Sequence, residues 1–183
     1  MMRILFLVPL LLSALPASAQ VMVLGEGPAE ACYRAALTGD QGSRSALEDC
    51  DKALDGLLSR KDTAATYVNR GVLLMRKGTF ERAIADYEDA LAIRPDLPEA
   101  HINHGVALFH LQDYTAAKTA YDTALSLGTE REAIARYNRA LVFEKLGDLR
   151  AAYDDLQAVV ALKPDWEQAR ETLSRYKRVR TQS

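Results

Sequence analysis

Two cysteines in 183 residues are too few for a disulfide-dense scaffold, and ten glycines with six prolines exclude a collagen-like or low-complexity chain. Aromatic residues are scarce too: four Phe, eight Tyr and one Trp do not furnish a sheet-rich core. Neither sign of charge dominates. Lys and Arg number 23 against 25 Asp and Glu, a formal net charge of -2, so no basic excess is available to neutralise nucleic-acid phosphates. What the chain does have is Ala and Leu throughout. At 49% hydrophobic and 26% charged it is neither a disordered tail nor a polytopic membrane protein. One helical, soluble domain is expected.

The first residues stand apart from that domain. Met1-Met2-Arg3 is a short positive start, Ile4 to Leu15 is apolar, and Pro16-Ala17-Ser18-Ala19 has the small residues of a cleavage site. The apolar stretch falls short of the roughly 20 residues a membrane span needs. Residues 1–19 therefore read as a secretory signal cut after Ala19, with the mature chain starting at Gln20. The expected product is an exported protein with no stable membrane insertion after cleavage, in a bacterial periplasm rather than outside the cell.

Internal repetition organises the rest. Tyr67-Val68-Asn69-Arg70-Gly71-Val72-Leu73-Leu74 recurs as His101-Ile102-Asn103-His104-Gly105-Val106-Ala107-Leu108, 34 residues on. Ala83 to Leu91 recurs with the same spacing as Ala117 to Leu125. A third copy runs Arg136 to Phe143 and then Ala152 to Val160, after a one-residue insertion. Pro95 and Pro164 close two copies. Small residues recur where two helices must approach closely: Gly71, Gly105 and Ala140 on the first helix, Ala83, Ala117 and Ala152 on the second. Gly78 and Gly147 suit the left-handed position that ends a helix, where Gln112 stands in the middle copy; Thr129 replaces its closing Pro.

This pattern resembles the tetratricopeptide repeat, a helix-turn-helix unit of about 34 residues. The resemblance implies an all-α fold, a right-handed α-α superhelix of stacked hairpins with a capping helix at its end. After the signal and an extension at 20–26, the repeats are expected at 27–63 (degenerate), 64–97, 98–132 and 133–166, with the cap and tail at 165–183. Within the degenerate copy, Pro28 to Leu37 and Arg44 to Leu58 are the expected helices. The charged residues of the last helix, expected to run from a cap at Asp165 to about Arg178, would cover the open end of the stack.

Little in the chain suggests chemistry. There is no Gly-rich phosphate loop, no His-Glu-x-x-His and no Gly-x-Ser-x-Gly. His101, His104 and His110 lack the further ligand a zinc site needs and read as packing or surface residues. The carboxylate pairs Asp154-Asp155 and Asp86 with Asp89 read as a solvated helix face rather than acid-base machinery. No enzyme activity, cofactor or metal is expected. Arg70, His104 and Arg139 share one repeat position; an ion pair with Asp49, Asp86 or Asp155 on a neighbouring helix is favoured over an anion-binding groove.

Two constellations remain. Cys32 and Cys50 lie equally far on either side of the turn near Gln41, which sets them opposite each other across a hairpin. A disulfide is expected in an oxidising compartment, with two separately buried thiols as the alternative. The second constellation is a stripe on the first helices, the side that lines the concave face in arrays of the resembled family. Asn69, Asn103 and Asn138 recur at one position, Val72, Val106 and Leu141 at the next turn, and Arg76, His110 and Lys145 four residues further on. Such a stripe suits an extended, partly acidic protein or peptide segment, the Asn amides pairing with its backbone. Those Asn residues could instead serve hydrogen bonding between the helices of the array. The carboxylate clamp of chaperone-binding relatives is not matched, since Val68, Val72 and Glu99 stand where its residues would be. The function expected is a non-enzymatic interaction module; the other reading is a self-associating structural component of an envelope assembly.

Overall fold

The computed structural model of the chain describes residues 27–180, with side chains as far as Tyr176. The expected signal, the extension at 20–26 and the last three residues lie outside that range. The described residues are helical throughout, without strands: α1 (Pro28–Thr38), α2 (Arg44–Leu54), α3 (Arg60–Arg76), α4 (Phe80–Ile93), α5 (Pro98–His110), α6 (Tyr114–Leu127), α7 (Glu132–Leu146), α8 (Leu149–Leu162) and α9 (Glu167–Arg180). They pair as hairpins α1/α2, α3/α4, α5/α6 and α7/α8, each packed on the next, with α9 against α8. The result is an all-α superhelix of stacked hairpins. Among these helices none is long and apolar enough to cross a membrane.

Local chemistry sets the boundaries. Ser43, Ser59, Asp113 and Asp148 each accept a hydrogen bond from the backbone N–H three residues on, which starts α2, α3, α6 and α8. Gly78 and Gly147 turn the chain at φ 81° and 82°. Gln112 holds the same left-handed conformation at φ 64° although it carries a side chain. Helix α1 runs one residue past the expected Leu37 and α9 reaches Arg180, and two further boundaries differ from the sequence expectation. Helix α2 ends at Leu54 rather than Leu58, where Asp55 caps it and Gly56 follows. Helix α9 starts at Glu167, one residue beyond Trp166, whose N–H turns back to the Lys163 carbonyl.

The core is a row of close helix crossings. A Cβ added to Gly71 would lie 2.5 Å from Cε1 of Tyr87, and one added to Gly105 would lie 2.8 Å from Cζ of Tyr121. Both rings are fully buried, so neither can yield. Ala140 and Leu156 fill the corresponding place in the fourth hairpin. Each of these small residues stands seven positions before the left-handed turn residue. Counted back from Gly39, φ 85°, the same place in the first hairpin is Cys32. Its sulfur lies 2.07 Å from that of Cys50, disulfide distance, and both residues are fully buried. A cysteine pair at disulfide distance stands where the other hairpins use a glycine or alanine under a large side chain.

The sign of one substitution tests this packing. Gly→Ala at an exposed helical site gains about 1 kcal/mol of helix propensity. Gly71→Ala is instead expected to destabilise, because crowding a filled core costs about 1–3 kcal/mol. Urea unfolding of Gly71→Ala beside wild type reads the difference; a stabilised variant would contradict the close crossing.

Candidate functional site

Each first helix presents the same repeat positions to its neighbours, and the recurring charges resolve into ion pairs. Arg70 on α3 donates from Nε and Nη2 to both oxygens of Asp86 on α4, at 2.9 and 2.6 Å, and from Nη1 to Asp51 on α2 at 2.7 Å. Arg139 on α7 repeats the arrangement: Nε and Nη2 reach Asp155 on α8 at 2.8 Å each, and Nη1 reaches Asp122 on α6 at 2.6 Å. Arg136 adds a further bond to Asp155 at 3.1 Å. Asp86 and Asp155 are buried. The Asp86 and Asp155 pairings match the structural expectation for these arginines. Asp49 is not used; it lies beside Lys52, and Asp51 and Asp122, which the sequence did not single out, complete the clamps. Burial pushes the Asp86 carboxyl above its ordinary value, against the pull of the Arg70 guanidinium on both its oxygens. Burial raises Asp122 as well, but Lys118 and Arg139 outweigh it and hold that carboxyl below its usual value.

The middle hairpin breaks the pattern. His104 occupies the arginine position and Ala120 the aspartate position. The Nε2 atom of His104 is buried without a hydrogen bond, with Glu88 on α4 4.0 Å away. Burial lowers its pKa below 6.5, against the pull of Glu88 and with a push from His101. The unfolded chain therefore takes up this proton first as pH falls through 6.5. Stability from this site is complete above that pH, declines below it, and levels off once the folded ring protonates. A proton NMR titration should place His104 below an unfolded reference, and His104→Gln should flatten the urea midpoint between neutral and mildly acidic pH. An unshifted His104 titration would refute the assignment.

The expected binding stripe is only partly open. Asn69, Asn103 and Asn138 are 0%, 1% and 3% exposed, so the ladder expected to meet a peptide backbone lies inside the array. The Tyr121 side chain bonds to Asn138 across hairpins, which fits the alternative role of these amides. Val72 and Val106 are buried as well, the first among Cys32, Ala36 and Leu73, the second beside Ile102 and Ala117. The physical reason is that each first helix packs on the hairpin before it, α3 on α1 and α2, α5 on α4 and α7 on α6, as well as on its own second helix. A residue can thus recur at a fixed position and still face a neighbouring helix rather than solvent.

The other four residues remain accessible. Arg76 is half-buried and donates from Nη1 to the Asp40 carbonyl at 3.2 Å; His110 is exposed and stacks on Phe80 with centroids 4.5 Å apart. Leu141 is half-buried beside the Tyr137 cluster, and Lys145 is exposed. The three histidines lie against separate neighbours, since His101 Nε2 is 3.0 Å from the Pro95 carbonyl. Among the described residues no three His, Cys, Asp or Glu side chains are grouped to hold a metal. Sequence reasoning missed a cleft of about 350 Å³ lined by Ala133, Ile134, Lys163, Asp165 and Trp166. Its one advance signal was the sole tryptophan, which packs against Tyr137 at 4.8 Å.

Two family models match the chain: "TPR repeat" over residues 71–112 and "Tetratricopeptide repeat" over 102–167, together more than half of its length. This is a tetratricopeptide-repeat protein. No curated protein matches its sequence. Among solved structures, one titled "Crystal structure of MamA" is similar at 19% identity and a TM-score of 0.71, over 87% of each chain. The second TPR domain of human RPAP3, solved in complex with the HSP70 peptide SGPTIEEVD, is 27% identical with a TM-score of 0.60. That match covers 65% of this chain and 98% of the other. The first TPR of Spaghetti (RPAP3), bound to the HSP90 peptide SRMEEVD, is 22% identical with a TM-score of 0.61, covering 65% and 94%.

Proposed function

We propose that this chain is a non-enzymatic interaction module of the exported fraction, in a bacterial periplasm, that holds a partner segment along the accessible part of its first-helix face. The observation that carries this reading is the likeness, at 27% identity, to a repeat domain solved with a peptide in place. Arg76, His110, Leu141 and Lys145 are the side chains offered, three cationic or titratable groups beside one apolar contact. They favour a segment with acidic and apolar residues, and its capture should weaken as salt screens the charges. The opening sequence Met1–Ala19 and the cysteine pair at bonding distance support the oxidising compartment.

The test is a crosslinking pull-down from the exported fraction with wild type and with Arg76→Glu plus Lys145→Glu. The double variant should capture less, and the difference should shrink at high salt. Equal capture by both proteins would end the reading. N-terminal sequencing of the exported protein should begin at Gln20; an intact Met1 in the cytosolic fraction would overturn the location.

A further inference from the structure

The cleft beside Trp166 lies at the opposite end of the first helices from Arg76, His110 and Lys145. Ala133 and Ile134 at the start of α7 line it with Trp166, just before α9, and with Lys163 and Asp165 between α8 and α9. Ile134 precedes Lys145 by eleven residues of α7, about 16 Å along the helix. Trp166 is half-buried and held against Tyr137, which fixes one side of the cleft. Leu127 and Leu162 end α6 and α8 just before the two turns that meet there, and they are exposed by 43% and 46%. Charge of one sign does not mark this edge. Lys163 and Asp165 are exposed and opposite, Glu130, Glu167 and Arg170 are exposed around them, Arg131 is half-buried, and Glu132 is held by Arg136 at 2.7 Å. Among the lining residues no buried polar side chain converges to orient a small metabolite. The surface suits apolar side chains of a nearly neutral segment.

The chain itself carries such a segment. Val21-Met22-Val23-Leu24 is an unbroken apolar run, with Gln20 before it and Gly25-Glu26 after it. It joins α1 through Gly27, and Gly27 and Pro28 are both exposed. Stacked hairpins set the starts of α1, α3, α5, α7 and α9 along one edge, so the run meets the array on the edge that carries the cleft. We infer that Val21–Leu24 of one copy docks in the cleft of a second copy, joining exported chains head to tail. The cleft of the same copy is out of reach. With Val21–Leu24 seated there, Gly25 and Glu26 alone would span back to Gly27, about 10 Å at full extension. Contact runs from α1 to α3, from α3 to α5 and from α5 to α7, three steps of about 8–10 Å each. Because the two patches differ, the contact repeats from copy to copy into rings or chains rather than stopping at a two-fold pair. The inference rests on the exported chain beginning at Gln20, and it leaves the first-helix face free for its own partner.

Trp166 is the sole tryptophan, so its emission reports the cleft directly. The exported protein should show a light-scattering mass that rises with concentration, and a Trp166 emission that moves to shorter wavelength as it does. Val23→Asp with Leu24→Asp changes no described helix and should stay folded and monomeric. A synthetic Gln20–Glu26 peptide added to that variant should restore the emission shift saturably. Added salt should leave both readouts in place, because an apolar contact is not screened. Ile134→Asp should bind the peptide at least about tenfold more weakly. Leu162→Asp, at an exposed position, should act in the same direction with wild-type circular dichroism. Ile134→Asp and the Val23→Asp, Leu24→Asp variant each lack a different half of the contact, so their mixture should pair although neither associates alone. A mixture that does not pair would overturn the proposal, as would a monomeric mass at every concentration, with or without peptide binding. Association abolished by Arg76→Glu with Lys145→Glu, but not by the Val23→Asp, Leu24→Asp variant, would place the contact on the first-helix face instead. An exported protein whose sequence starts after Leu24 would remove the segment and the proposal with it, while the interaction module would stand.

Discussion

Cys32→Ala with Cys50→Ala is expected to lower stability by about 3 kcal/mol, on the loop-closure entropy of a bridge spanning this separation. The bridge joins residues 18 apart in the first hairpin. Its surroundings offer little to compensate: Ala36 and Ala46 are the neighbouring core residues of that hairpin, and α1 and α2 have 11 residues each. In a chain of this size the loss corresponds to a melting temperature lower by roughly 6–12 °C. It should also be uneven. Contacts in a repeat array pass only between neighbours, so the damage should concentrate in α1 and α2 and in the Val72–Leu73 surface they cover. Hydrogen exchange should quicken there first and leave α5 to α8 near wild type. Alkylation of both cysteines in the native, unreduced protein, or uniform loss of protection, would contradict this account.

Arg70→Met is expected to cost about 3 kcal/mol, the lower end for breaking a buried ion pair, because the arginine is itself one-fifth exposed. The substitution leaves Asp86, 4% exposed, without the guanidinium that holds both its oxygens. Arg139→Met should cost less, since Arg136 still reaches Asp155. The Arg70→Met penalty should be largest at neutral pH and shrink in acid. With its cation removed, burial raises Asp86, and protonation then relieves the uncompensated charge as pH falls. Arg70→Met with Asp86→Leu should recover most of the loss, because an apolar pair of similar volume replaces buried ions at little cost. Urea midpoints of the two single variants and the double variant, taken at neutral and acidic pH, decide it. A double variant no better than Arg70→Met would show that packing, not charge, was lost.

The same physics separates what could be read in the chain from what could not. Gly71, Gly105 and Ala140 under Tyr87, Tyr121 and Leu156 were legible, because a helix crossing needs a small residue opposite a large one at each repeat. Arg70 and Arg139 were legible as ion-pair formers, since a recurring guanidinium and a recurring carboxylate sixteen residues later fall on facing helices. Partners on the preceding second helix, Asp51 and Asp122, were not, because their offset from the arginine differs between hairpins. Asn69 and Val72 misled for a related reason. A period identifies equivalent residues but says nothing about how many sides of a helix are covered, and α3 is packed by α1, α2, α4 and α5.

The sequence by itself determined the unit and its number: a helix-turn-helix of about 34 residues, repeated, with its close crossings and a cysteine pair set across one turn. These follow from local propensity, small-residue spacing and turn chemistry, which act over a few residues to one repeat. Tertiary structure alone decided which surface is open. Packing of each first helix on the preceding hairpin buries Asn69, Asn103, Asn138, Val72 and Val106, while Leu111, Leu146 and Leu149 at the hairpin turns stay in solvent. The angle at which one hairpin settles on the next is set by all the side chains between them at once, and no periodicity in the chain encodes it.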